Sequence, residues 1–255
     1  MNKILFIGGI LLLLLPIGLR FWEGMGQHDF VSTYEKEVEE LDLSELETCL
    51  KEAHAYNETL YLTGELDEKT YENQLNLFGN GIMGSIEIPR INVKLPIYHG
   101  TEEEILTNGI GHLKESGLPV GTENSHAVLT GHRGLPNAQL FTRLDELEIG
   151  DVFWINTCGN EIVFHVKDIQ VVRPEEVEVL EIQPGEKLVS LVTCTPYGIN
   201  THRLVVTGER YEEVVLEDLD VEVDVLSNRD LVFLAIPIFL AGLGIVIHWR
   251  KEVTS

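Results

Sequence analysis

The fold of this protein is decided by one stretch, which reads Leu188-Val-Ser-Leu-Val-Thr-Cys194-Thr-Pro-Tyr-Gly-Ile-Asn-Thr-His-Arg203-Leu-Val-Val-Thr-Gly208. A β-rich run of Leu, Val and Thr ends at Cys194, and a second β-rich run begins at Arg203. Pro196 and Gly198 lie between the runs, a pattern typical of paired strands joined by a loop. The thiol of Cys194 and the guanidinium of Arg203 are therefore expected at the same end of a sheet.

A cysteine next to an arginine indicates a catalytic site with a reactive thiol, although a lone cysteine is also often a small core residue. A neighbouring cation favours the thiolate form of a cysteine, and a guanidinium offers fixed donors to an oxygen that gains negative charge. A second stretch, Ala127-Val-Leu-Thr-Gly-His132-Arg-Gly134, ends a short apolar run on a histidine between two glycines. A single cysteine with a histidine far away in the sequence is a candidate nucleophile and proton-transfer pair.

The two stretches resemble the two signature segments of sortases, the cysteine transpeptidases of Gram-positive cell surfaces. Residues 81–91 and 95–100, with a second hydrophobic segment near the C-terminus, are similar to the class C, or pilus-assembling, sortases. The resemblance implies an eight-stranded β-barrel with the catalytic residues Cys194, His132 and Arg203.

The roles of these residues follow from the same resemblance. Cys194 would attack a Leu-Pro-x-Thr-Gly sorting signal between Thr and Gly, and His132 would protonate the departing amine. Arg203 would hold the carbonyl oxygen, and a lysine amine of another pilin subunit would resolve the thioester. Three residues that flank this set are candidates for binding the substrate: Thr193, Thr195 and His202. The two threonines could equally be ordinary strand residues.

Composition excludes some functions. The chain has 255 residues, 18 of them basic and 42 acidic, and a formal net charge of −24. This balance argues against nucleic-acid binding, which needs clustered Lys and Arg. His126 and His132 lack the spacing of metal ligands, so neither a metal nor another cofactor is expected. Three cysteines are too few for a disulfide framework, and Cys49 and Cys158 are interpreted as incidental.

Two predominantly apolar segments predict attachment to a membrane. Residues 3–22 are interpreted as an uncleaved signal anchor and residues 231–249 as a C-terminal transmembrane helix. Lys3, Arg250 and Lys251 lie beyond the apolar runs, and such cations favour the cytoplasmic side. Both termini are therefore expected in the cytoplasm, with the catalytic domain outside the cell.

The chain between these segments divides into three parts. Residues 29–78 are predicted to form a membrane-proximal helical segment, since apolar residues recur at helical intervals; a solvated stalk is the alternative. Residues 79–212 contain short β-branched runs between turn residues, which favour a mainly β barrel or sandwich with short helices. Residues 213–230 are predicted to be an acidic linker.

The N-terminal segment departs from class C sortases, which carry a lid with an Asp-Pro-aromatic motif over the cysteine. The corresponding loop, residues 59–70, contains Asp67 but has Glu and Lys in the next two positions. The lid is therefore expected to be absent or to work differently. One hypothesis is that Leu60-Tyr61-Leu-Thr-Gly64, which matches a Leu-x-x-Thr-Gly frame, lies in the groove as a tethered pseudo-substrate; a chance match is the alternative.

The function that these features favour is a membrane-anchored sortase that polymerises pilin. A closely related function would join surface proteins to an amine of a cell-wall precursor. Two further candidates are a cysteine hydrolase of the wall and a non-catalytic membrane scaffold that kept the barrel. The presence of Cys194, His132 and Arg203 together argues against the scaffold.

Overall fold

The computed structural model describes residues 31–65, 67–135 and 139–211, together with the isolated positions 8–9, 235, 238–240, 242–244 and 246, which are helical. Most of the two predicted transmembrane segments, and the whole predicted linker, lie outside these residues. Within the described part of the chain, no helix is long and apolar enough to cross a membrane.

Eight strands close into one barrel in the order β1-β2-β3-β4-β7-β8-β6-β5. Two neighbouring pairs are parallel, β2 with β3 and β4 with β7, and the others are antiparallel. This confirms the prediction of a mainly β, eight-stranded barrel. The strand bounds are β1 Ile82–Ile88, β2 Val93–His99, β3 Ile110–His112, β4 Ser125–Thr130, β5 Val152–Thr157, β6 Asn160–Val172, β7 Lys187–Thr195 and β8 His202–Arg210.

Alternation along the strands sorts the side chains between the barrel interior and its outside. The interior holds the main core, in which the rings of Phe153 and Phe164 stack with centroids 5.4 Å apart. Fully burying such a side chain contributes roughly 1.5–3 kcal/mol. A second group on the outside, here named the outer apolar cluster, consists of four buried valines: Val128, Val172, Val192 and Val205.

Helices surround the barrel, and the N-terminal ones pack on it rather than forming a solvated stalk. In α1 (residues 31–39), Tyr34 and Val38 are buried, and Glu35 accepts hydrogen bonds from Ser85 Oγ at 2.9 Å and Lys94 Nζ at 2.7 Å. The remaining helices are α2 Leu43–Thr63, α3 Glu68–Asn73 and α4 Glu103–Asn108, with 3-10 turns at Pro89–Ile91, Leu144–Glu146 and Glu178–Leu180.

A disulfide joins Cys49 on α2 to Cys158, so the interpretation of these cysteines as incidental is wrong. Cys158 and Gly159 form the turn between β5 and β6 with φ of 48° and 71°, as tight hairpin turns require. A Cβ on Gly159 would come within 3.2 Å of the Leu46 side chain, so the helix lies directly on this turn. The two cysteines are 109 residues apart, and only the folded barrel brings them together.

The predicted loop at residues 59–70 is wrong over its first part. Helix α2 continues to Thr63 and ends at Gly64, whose φ of 67° caps it. Leu60 is buried and Tyr61 is exposed, both in helical conformation, so the segment does not form the extended pseudo-substrate. Asp67 accepts a hydrogen bond from Thr70 N at 2.8 Å and caps α3.

Helix α3 is attached to the barrel through a buried histidine. The hydroxyl of Tyr71 lies 3.0 Å from Nδ1 of His112 on β3, and Nε2 of His112 donates to the carbonyl of Gly117 at 2.7 Å. A carbonyl only accepts, so Nε2 carries the hydrogen of a neutral ring. Burial lowers the pKa of His112 to about 4.

Acidification is therefore expected to destabilise the protein through His112. The unfolded chain takes up this proton near pH 6.5 but the folded protein only near pH 4, so stability falls between these values, by an amount on the order of 3 kcal/mol. Chemical denaturation of the wild type and of His112→Gln at several pH values measures the effect. The stability gap between them should shrink from pH 7 to pH 4; a constant gap would contradict the assignment.

Candidate active site

Three adjacent strands bring the predicted catalytic residues to one end of the barrel. The strands β4 and β7 run parallel, and the amide of Gly131 donates to the carbonyl of Val192 at 3.1 Å. Continuing this register places His132 beside Cys194. On the other side of β7, Cys194 pairs directly with Arg203 in the antiparallel ladder with β8. The three residues therefore lie at the same end of the barrel, in the order of their strands β4, β7 and β8.

The site lies on the outside of the barrel. Cys194 is two residues beyond Val192 and Arg203 is two residues before Val205, so strand alternation puts both on the face of the outer apolar cluster. The half-buried Val179 and Leu180 of the β6–β7 connection pack against the same cluster. Cys194 is partly exposed and its thiol is free, so a ligand on this face can reach it.

His132 has a carboxylate beside it that the sequence interpretation did not find. Its Nε2 lies 3.2 Å from Oε1 of Glu103 on α4, and the two side chains are 25% and 81% exposed. The hydrogen bond places a proton on Nε2 and orients the ring. Such an exposed pair contributes at most about 1 kcal/mol to stability, so orientation of the ring is its main effect.

Arg203 is held at the start of β8 by backbone carbonyls. Its Nη1 donates to the carbonyl of His202 at 3.1 Å and, more weakly, to that of Asn200 at 3.4 Å. A guanidinium is always charged in proteins, and these neutral carbonyls do not offset its charge beside Cys194. A cation in this place can stabilise an oxygen that gains negative charge during attack by the thiol.

The residues predicted to bind substrate have other contacts. Thr193 is 1% exposed and its Oγ1 donates to the carbonyl of Gly131 at 2.7 Å, so it joins β7 to the segment before the histidine instead of lining a groove. The hydroxyl of Thr195 accepts a hydrogen bond from Arg133 Nη1 at 3.1 Å. Nδ1 of His202 lies 2.9 Å from the hydroxyl of Thr201, within hydrogen-bond distance. Substrate contact by Thr195 or His202 stays a prediction.

Arg133 is a second residue near the site that the sequence interpretation missed. Its side chain is only 4% exposed and forms an ion pair with Asp145. The guanidinium carbon lies 5.9 Å from the ring centroid of Tyr197. Its position next to His132 in a Gly-His-Arg-Gly sequence was the available signal, but Thr195 and Tyr197 lie far away in the sequence.

A histidine at the other end of β4 has a structural role. His126 on β4 is fully buried, with Nε2 at 2.8 Å from Ser190 Oγ and Nδ1 donating to the carbonyl of Glu181 at 3.0 Å. It thus ties β4 to β7 and to the β6–β7 connection. Within the described ranges, no group of three or more His, Cys, Asp or Glu side chains could hold a metal ion.

Comparison with known proteins agrees with this geometry. The family model described as the sortase domain matches residues 86–211. Sortase D of Bacillus subtilis is 33% identical over 130 residues, which is 50% of this chain and 63% of that protein. Sortase A of Bacillus anthracis is 26% identical over 206 residues, which is 80% of this chain and 89% of that protein.

Two crystal structures extend the similarity beyond the barrel. Sortase C1 from Streptococcus agalactiae has a TM-score of 0.70 at 38% identity, covering 73% of this chain and 100% of that one. Sortase C from Streptococcus pneumoniae has a TM-score of 0.67 at 40% identity, covering 72% and 97%. The barrel, the residues at its end and these relatives together show that the chain belongs to the sortase family of cysteine transpeptidases.

Proposed function

We propose that this protein is a membrane-anchored sortase that cleaves a Leu-Pro-x-Thr-Gly-like signal between Thr and Gly and joins the new acyl end to a lysine amine of a pilin. The observation that carries the proposal is the pairing of Cys194 with Arg203 across β7 and β8, together with the parallel register of β4 and β7, which directs the segment after β4, with His132, to the same end of the barrel. A nucleophile, a proton carrier and a cation at one end of the barrel are the groups that acyl transfer requires.

Each group has one task in the proposed reaction. The Cys194 thiolate attacks the carbonyl carbon of the Thr–Gly bond while Arg203 stabilises the oxygen that becomes negative. His132 gives its proton to the departing glycine amine as the C–N bond breaks, which leaves a thioester on Cys194. The lysine amine then attacks the thioester and gives a proton to His132; this step forms an isopeptide bond and releases the Cys194 thiolate.

The face around Cys194 suits such a signal. Leucine and proline are apolar, and the half-buried Leu113, Val179 and Leu180 provide apolar surface at the border of the outer apolar cluster. An extended peptide that places its Thr–Gly bond at Cys194 can lay its apolar residues along this face. Burial of such side chains supplies the main attraction.

Pilin as the acceptor is supported by the solved relatives. The structure of the Streptococcus pneumoniae protein is described as giving insight into pilin substrate specificity, and another relative is described as sortase C1 of a pilus island. The match to the second relative has 41% identity and a TM-score of 0.69, and it covers 97% of that relative's chain. These descriptions belong to the relatives and support, by similarity, the same acceptor here.

Location of the barrel outside the cell is part of the proposal. The disulfide supports it, because disulfides persist in oxidising surroundings and are rare in the cytosol. The cations next to the two apolar segments also support it, because such cations favour the cytoplasmic side and would leave the barrel on the other side of the membrane. A membrane-impermeant thiol reagent should label Cys194 in intact cells; labelling only after lysis would contradict this location.

The acceptor is tested with the full chain in detergent and a fluorescent Leu-Pro-x-Thr-Gly peptide. A lysine-bearing pilin domain and an amine of wall-peptide type are offered separately, and products are identified by mass spectrometry. The proposal predicts an isopeptide on the pilin lysine and faster turnover with this acceptor. Joining to the wall amine alone would favour a wall-anchoring sortase, and release to water alone would favour a hydrolase.

A further inference from the structure

The side chain of Arg133 is directed into the protein, unlike that of its neighbour His132. It is 4% exposed, whereas the histidine side chain is 25% exposed. A buried guanidinium carries a large desolvation cost unless its charge is paired and its donors are used. Its charge is paired and both terminal nitrogens donate, whereas Nε has no hydrogen-bond partner among the described residues, so the two bonds that are formed indicate what its position achieves.

The contacts of Arg133 connect three other segments around the site. Nη1 donates to the hydroxyl of Thr195, the residue after Cys194, at 3.1 Å. Nη2 donates to the carboxylate of Asp145 in the 3-10 turn that follows residues 131–134, here named the histidine segment. The guanidinium also lies 5.9 Å from the ring centroid of Tyr197 in the β7–β8 connection.

These contacts lie where strand pairing between β4 and β7 ends. The last backbone bond between the two sides is that from Gly131 to Val192. Beyond it, the histidine segment bonds to the other side: the carbonyl of His132 accepts from Phe141 N at 3.2 Å. The bond from Arg133 to Thr195 is thus a side-chain link from the histidine segment back to the cysteine strand.

The ring of Tyr197 closes the same junction. Gly134 has a φ of 81°, and a Cβ there would lie 2.8 Å from the Tyr197 ring. The histidine segment therefore lies against the β7–β8 connection, with Arg133 beneath the contact. The planar guanidinium can serve two acceptors and an aromatic ring at once, which a lysine cannot do.

We propose that Arg133 is a positioning residue, which holds the histidine segment against the end of β7 and so keeps His132 at its working distance from Cys194. Arg133 acts through this geometry and does not react with substrate itself. The proposal rests on the sortase chemistry proposed above, in which His132 and Cys194 act on the same bond. Small displacements of such groups cost large factors in rate.

The test compares Arg133→Gln with a matched variant of another buried arginine. Arg143 is 6% exposed, ion-paired with Glu146 and bonded to the carbonyl of Ile91, so Arg143→Gln removes a similar ion pair at the same 3-10 turn and leaves the bond from Arg133 to Thr195 in place. For folded protein, Arg133→Gln should lower kcat roughly 10- to 100-fold and leave KM within about twofold. Arg143→Gln should lower thermal stability but change kcat less than about twofold. Equal loss of kcat in both variants would reduce Arg133 to a purely structural role.

A milder pair of variants keeps the test valid if Arg133→Gln folds poorly. Thr195→Val removes the acceptor of Arg133 Nη1 and keeps the side-chain shape, and should lower kcat several-fold. If Thr195 works through Arg133, the double variant should be no slower than Arg133→Gln alone. Fully multiplicative losses would show that the two residues act independently, against the proposal.

A second readout separates this proposal from the proposed function. Iodoacetamide alkylates Cys194 without needing the peptide groove, so its rate reports the surroundings of the thiol directly. Arg133→Gln should slow this alkylation at least roughly threefold relative to Arg143→Gln, because it lets the proton-bearing ring of His132 move away from the thiol and so disfavours the reactive thiolate. If Arg133→Gln slows the alkylation but the wild type cleaves no peptide, the positioning role stands and the proposed substrate is rejected. If Arg133→Gln leaves the rate unchanged while the wild type cleaves the peptide, the positioning role is rejected.

Discussion

Replacing Cys194 by alanine is expected to abolish both peptide cleavage and transfer, with a fall in turnover of at least roughly 1,000-fold. The reason is that the proposed reaction passes through a thioester on this sulfur, and no remaining group at the site can form that bond. The side chain is partly exposed at a strand end, so the variant should unfold within a few degrees of the wild type. Turnover and thermal unfolding, measured on the same preparations, check the two statements together.

The other cysteines cannot replace it, which makes the expectation sharp. Cys49 and Cys158 are joined to each other on the far connection of β5 and β6. Residual turnover above about 1% of wild type would therefore place the nucleophile elsewhere. A folded but inactive variant that still binds the peptide would agree with the proposed chemistry.

Loss of the disulfide is expected to have the largest effect on stability. The bond closes a loop of 109 residues, and a cross-link over such a loop typically adds about 2–4 kcal/mol by restricting the unfolded chain. For a protein of this size the change corresponds to a fall in Tm of roughly 5–15 °C. The double variant Cys49→Ser with Cys158→Ser, made in a Cys194→Ala background, measures it by calorimetry.

The background and a thiol count provide the controls. Cys194→Ala removes the one free cysteine of the described residues, so that any effect of reductant on this protein comes from the disulfide. Adding reductant should then lower its Tm to that of the double serine variant. If reductant does not change the Tm of Cys194→Ala, and thiol titration of this folded variant finds two free thiols, the disulfide does not form in solution.

Much of the site could be predicted because its geometry follows from strand pairing. Cys194 and Arg203 end and begin two β-rich runs, and an antiparallel pair of such runs must place them together. His132 ends a third apolar run, and the resemblance to sortases assigned it to the same site as Cys194, which periodicity alone could not do. The barrel itself came from that resemblance, since short strands with frequent turns also fit a sandwich.

The features that sequence reasoning missed depend on contacts between distant segments. The partners of Arg133 are Thr195 and Asp145, which are recognisable only after the histidine segment folds over the end of β7. The pairing of Cys49 with Cys158 likewise needs α2 to lie on the β5–β6 turn.

The error at residues 59–63 has a local cause instead. The loop was inferred from the position of the lid in class C sortases, whereas the sequence from Leu43 is rich in Leu, Glu and Ala, which favour a helix that continues until glycine ends it.

The most direct test of the central claim is mass spectrometry of the full chain after brief incubation with a Leu-Pro-x-Thr-Gly peptide and no amine acceptor. The account predicts a mass increase equal to the acyl part of the peptide up to its threonine, located on Cys194 and released when a pilin lysine is added. An intact peptide with no adduct, or an adduct on another residue, would contradict the account.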